Sequence, residues 1–114
     1  MHDDTTRDHG LQPLDALISR WGLTNHGLVE VSVEQLNHKQ VQRARHCRQL
    51  TLSMMQKVAR ALNDTILTRL PKDERQKFSP YAHKQLFNYA KGHDAEWTDP
   101  NAPLMPAPAG VDVR

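Results

Sequence analysis

From Pro13 onward apolar side chains recur at three- and four-residue spacing, the period that gathers them on one face of an α-helix. Leu14, Leu17, Ile18 and Trp21 form the first such stripe, with Pro13 suited to a first helical position and Gly22 to a stop. Thr24 then reads as the N-cap of a short second helix through Leu28, Val29 and Val31, even though Gly27 weakens it. Ser32-Val-Glu-Gln35 matches a capping box, a pattern common by chance, and Asn37-His-Lys-Gln40 is a second one with Leu36 outside it as a staple. The second box opens a helix from Asn37 to Cys47. Its apolar stripe, Val41 and Ala44 with Cys47 or Leu50 beyond, is thin, which predicts a helix only partly sunk in the body.

Thr51 caps the strongest helix of the chain, with Leu52, Met55, Val58, Ala59 and Leu62 on one face and an end near Asn63. Asp64 to Leu70 predicts a further turn or two before Pro71. Ser79 as cap and Pro80 at the first position then open a last helix carrying Tyr81, Ala82, Leu86, Phe87, Tyr89 and Ala90, closed by Gly92. Outside these limits the period is lost. Residues 1–12 read as a flexible arm, and residues 93–114, with four prolines, as an extended or disordered tail from which Trp97 docks on the body. No strand-like alternation occurs, so the expected class is all-α, a small bundle of four to six helices within residues 13–92.

Composition narrows the picture. A chain of 114 residues suits one domain, and with 38% apolar residues a core forms only if they gather in one segment. No apolar run approaches the roughly 20 residues of a membrane span, and Met1-His-Asp-Asp opens the chain with acid rather than a signal sequence, so a cytoplasmic location is expected. The one cysteine, Cys47, excludes an internal disulfide. Net charge is only +2, but its distribution is uneven. Upstream of Gln35 six acids face only Arg7 and Arg20, whereas Gln35 to Asn63 contains no Asp or Glu and holds Lys39, Arg43, Arg45, Arg48, Lys57 and Arg60. Such a block suits a polyanion, because each phosphate neutralised releases condensed counterions; a solvated helix face is the plainer reading.

The order of helices resembles the phage-repressor and Cro-like helix-turn-helix family. Leu23-Thr-Asn-His-Gly-Leu28-Val29 looks like that family's second helix, and Leu36-Asn-His-Lys-Gln-Val41-Gln-Arg43 resembles its recognition helix. Leu50-Thr51 and Lys57-Val-Ala-Arg-Ala-Leu62-Asn63 resemble the turn and helix that follow. The likeness covers residues 14–63. Between Val29 and Leu36 the chain carries about two residues more than the family's turn, and Cys47 stands where a glycine is usual. What the resemblance implies is a helix-turn-helix that presents Asn37 to Arg48 to the major groove of double-stranded DNA as a bacterial-type transcriptional regulator. It gives His38, Lys39 and Gln42 to base edges or nearby backbone, Gln42 to adenine, and Arg43 to guanine or phosphate. Gln40 caps and touches phosphate, Arg45, Arg48 and Lys57 grip phosphates, and Val41, Ala44, Val58 and Leu62 are core.

Other chemistry finds little support. The seven histidines include no pair at the spacing that places two metal ligands on one helix face, and the adjacent His46 and Cys47 point about 100° apart, so neither a metal site nor a nucleophile with its base is expected. No carboxylate pair or phosphate loop appears, so no enzyme activity, no cofactor and no small-molecule ligand is expected. The stripe from Tyr81 to Ala90 offers a seam to a second copy, hence an expected homodimer. The alternative function is a helical protein-protein interaction module on the same scaffold without DNA binding.

Overall fold

The computed structural model describes residues 11–46 and 49–104. Five α-helices and no strand occur among them: α1 Pro13–Arg20, α2 Asn25–Val31, α3 His38–His46, α4 Leu52–Arg69 and α5 His83–Leu86, with short 3-10 turns at Arg75–Lys77 and Ala102–Leu104. The fold is a small all-α bundle. None of its helices is long and apolar enough to cross a membrane.

Local chemistry sets most helix ends. Pro13 stands at the start of α1, and Gly22 follows its end with φ of 71°, the left-handed conformation that glycine adopts without steric penalty. The hydroxyl of Thr24 accepts from the Gly27 amide at 3.0 Å, and that of Thr51 from the Met54 amide at 3.1 Å. At α3 the capping box is complete: Asn37 Oδ1 accepts from the Gln40 amide at 2.8 Å while Gln40 Oε1 accepts from the Asn37 amide at 3.1 Å. The box at Ser32 starts no helix. Ser32 accepts from the Glu34 amide, Gln35 turns to φ of 63°, and Val33 is left 91% exposed. That turn returns Leu36 to the core, so it forms the longer connection between α2 and α3.

α4 is the central element, packing on α2, α3 and α5, while α1 packs on α3 and α5. It does not stop at Asn63. Met55, Val58, Leu62 and Ile66 continue one buried stripe, and the Thr65 hydroxyl satisfies itself on the Ala61 carbonyl at 2.7 Å, so the stretch expected to be a separate turn is the end of one helix. Leu70, before Pro71, is extended, as a residue preceding proline prefers.

The last helix is shorter than the sequence predicts, four residues in place of a run from Pro80 to Ala90. Side chains distant in sequence hold the flanking backbone instead. Asn63 accepts from the Tyr81 amide at 2.8 Å and donates to its carbonyl at 3.0 Å, and Asn101 does the same to Ser79 at 2.8 Å each. Beyond α5 the Asn88 amide donates to Gln12 Oε1 at 2.8 Å. Gln12, expected in a flexible arm, is accordingly buried. The stripe assigned to a second copy faces the chain's own core: Leu86 and Phe87 are fully buried and Tyr81 and Ala90 nearly so. Those four side chains of the stripe are thus packed within the chain, while Ala82 is exposed and Tyr89 half-buried.

The body also reaches past Gly92. Trp21, Phe78, Tyr81 and Trp97 form a file of edge-on aromatic contacts with ring centres 5.9–6.2 Å apart, which is the docking expected of Trp97. Trp21 Nε1 donates to the Tyr81 hydroxyl at 3.1 Å, which donates to Asp99 at 2.6 Å. Burial, with the Asp99 bond, holds the Tyr81 phenol far above its usual range; burial also raises Tyr89, whose oxygen accepts from the Leu50 amide at 2.9 Å.

Asn101→Ala would leave both backbone groups of Ser79 without their partner and is expected to cost about 1–3 kcal/mol by urea unfolding; unchanged stability would show that the segment after Gly92 is not part of the body. The tyrosines supply a pH test. With both phenols raised in the folded state, they contribute stability that is present below the ordinary value of about 10 and lost as pH rises through the folded values. Absorbance at 295 nm should therefore show both tyrosines of the folded protein ionising above the ordinary value, Tyr81 furthest; a tyrosine ionising at its ordinary value in folded protein would contradict this packing.

Candidate nucleic-acid interface

Among the described side chains of α3 only Val41 and Ala44 are buried. His38, Lys39, Gln42 and Arg43 are exposed, and Gln40 is half-buried in its cap. Lys39 with Gln42 and Arg43 lie three and four residues apart, so they share one face turned away from the core. Neither Lys39 nor Arg43 makes an ion pair with a described residue. This face is what the thin stripe predicts.

Arg45 is placed differently from the expectation that it grips phosphate. Its Nε donates to Asp15 Oδ1 on α1 at 2.6 Å and its Nη1 to Asn25 Oδ1 on α2 at 2.7 Å. Its side chain is 20% exposed, and its own carbonyl accepts from the Gln12 amide at 2.7 Å. One residue therefore ties α3 to both α1 and α2, and its charge is spent on Asp15. Asn25 passes the contact on, donating through Nδ2 to Gln42 Oε1 at 3.1 Å.

At the other end of α3 the His38 ring stacks on His26 of α2, with centres 5.5 Å apart and planes 16° apart, and Nε2 of the first lies 3.4 Å from Nδ1 of the second. His26 Nε2 lies 3.4 Å from Glu30 one turn along. Among the described residues no three His, Cys, Asp or Glu side chains form a group that could hold a metal ion.

The remaining cations divide. Arg60 on α4 meets Glu34 bidentately at 2.6 and 2.7 Å, across the connection between α2 and α3. That hydrogen bond, set against desolvation and helped by the charges of Arg60 and Lys57, holds the Glu34 carboxyl below its usual range, and it raises Arg60 in turn. Lys57, half-buried on α4, thus faces an acid as well as solvent. Arg48 lies outside the described residues. The structure brings His38 and Gln42 of the expected site together with Asn25 and His26, which sequence reasoning passed over. The signal available was the Thr24 cap, which places both in the first turn of α2; nothing local shows that this turn abuts α3.

Arg45→Met is expected to lower stability by about 1–2 kcal/mol in urea unfolding, since it strands partly buried Asp15 and Asn25, and to cost more than Arg60→Met at the more exposed pair. Equal losses from the two variants would show that Arg45 is an ordinary surface cation. Compared with protein-family models, curated proteins and solved structures, the chain matches none.

Proposed function

We propose that the chain binds double-stranded DNA in a sequence-specific manner by laying the exposed face of α3 in the major groove, as a bacterial-type transcriptional regulator acting in the cytoplasm. The observation that carries this reading is the composition of that face: two imidazole and amide readers, His38 and Gln42, beside two cations, Lys39 and Arg43, on a helix whose described side chains give only Val41 and Ala44 to the core. A helix so placed leaves a ridge of donors and acceptors clear of the body, the form that major-groove reading requires. The stretch from Gln35 to Asn63 brings no acid to repel phosphate.

In this reading Gln42 contacts adenine and Arg43 guanine or a phosphate, while Lys39 and Lys57 grip backbone. Arg45 and Arg60 are left out of the phosphate set, being paired with Asp15 and Glu34. Arg48, outside the described residues, keeps the phosphate role expected of it, so the set counts about four cations: Lys39, Arg43, Arg48 and Lys57.

Fluorescence anisotropy with a pool of duplexes is the test. With about four cations engaged per bound chain, the slope of log affinity against log salt concentration should fall near −3 to −4. Binding indifferent to salt, or none at low salt, would refute the reading. On a selected site Gln42→Ala should cost about 1–3 kcal/mol and relax one base position, whereas Lys57→Ala should weaken all sequences alike.

A further inference from the structure

A carboxamide has one accepting end and one donating end, and a half-turn exchanges them. A glutamine that reads adenine through both atoms must present its oxygen to N6 and its nitrogen to N7, so the direction of the amide is as important as its place. For Gln42, neighbours from α1 and α2 bear on that direction. Asp15, as a carboxylate, only accepts; the Arg45 guanidinium only donates. The end of Asn25 that meets Arg45 Nη1 at 2.7 Å is therefore its oxygen, which leaves its nitrogen toward Gln42, and the end of Gln42 that meets that nitrogen at 3.1 Å is its oxygen. Each link has one polarity, and Asp15 starts the chain.

We infer that Asp15, Arg45 and Asn25 form a polar relay that fixes the direction of the Gln42 carboxamide, which makes Asn25 and Asp15 positioning residues for base reading by α3. The inference rests on the DNA-binding reading above and adds specificity-determining residues outside the helix that meets the groove. Asn25 is the link that matters most, because it alone converts the guanidinium's donation into a donation toward Gln42. Arg45 is anchored independently through its carbonyl and Asp15, so the relay starts from a fixed point.

Two measurements test it. In free protein, side-chain amide resonances of Gln42 should shift in Asn25→Ala and in Asp15→Ala, and stay near the wild-type positions in Asp15→Asn, which keeps an oxygen toward Arg45. Unmoved Gln42 resonances in Asn25→Ala overturn the relay without reference to DNA. On selected duplexes, Asn25→Ala should reduce discrimination at the base position read by Gln42 by about tenfold and leave the other positions alone. Asn25→Asp is the sharper variant. Its second oxygen cannot donate, so Gln42 must turn its nitrogen toward residue 25, and the preferred base at that one position should change. In the Gln42→Ala background, Asn25→Ala should add no further loss of discrimination at that position. A merely structural role would instead lower affinity for every sequence equally, which thermal unfolding of the same variants would track, and that pattern overturns the inference. Wild-type protein that binds no duplex refutes the DNA reading itself; wild-type protein whose base preference survives Asn25→Ala refutes only the relay.

Discussion

The structure depends on how little of α3 is buried. Two side chains, Val41 and Ala44, with Leu36 ahead of them, are the apolar anchors described for this helix, and such a contact by itself leaves its tilt and rotation loosely determined. Polar bonds of fixed geometry supply what packing does not. Arg45 holds the C-terminal half of α3 to α1 through Asp15 and Gln12 and to α2 through Asn25, while the Asn37–Gln40 box fixes the other end. A half-buried guanidinium with two partners has few alternative positions, so it orients the helix without occupying its exposed face. The clamp flanks that face and meets it at Gln42, through Asn25.

The same device recurs where the chain lacks regular structure. Asn63 and Asn101 each take both backbone groups of one residue, Tyr81 and Ser79, and Gln12 joins the start of α1 to Asn88. Each carboxamide stands in for a helical hydrogen bond that the local backbone does not make. Tyr81 is central to this region, since it meets Trp21, Phe78 and Trp97 with its ring and Asp99 with its hydroxyl. The segment beyond α4 therefore closes over α1 and α4, and the Tyr89 hydroxyl reaches Leu50, between α3 and α4.

What the sequence made legible is what local chemistry controls. Thr24, Asn37 and Thr51 cap as their positions predict, and Gly22 takes the left-handed conformation that ends α1. The thin stripe of α3 was readable because helical periodicity needs no partner. The failures lie where a distant residue decides. Asn63-Asp64 has the composition of a helix end, yet Ile66 finds the core and the helix continues. The last helix reads as eleven residues by pattern, but Asn63, 18 residues away, and Asn101, 22 away, hold its first residues extended. Arg45 reads as a surface cation because its carboxylate lies 30 residues earlier. Asn25 and His26 were passed over for the same reason: their partners belong to another helix.

The central claim is that the exposed face of α3, with the first turn of α2 beside it, is where DNA docks. Backbone and side-chain resonances of isotopically labelled protein, followed as a short duplex is added at low salt, test this most directly. The account predicts shifts concentrated at His38, Lys39, Gln42 and Arg43 and at Asn25 and His26, reversed as salt is raised. Shifts centred elsewhere, for instance on α5 and Trp97, or no shift at any residue of α3, would contradict it.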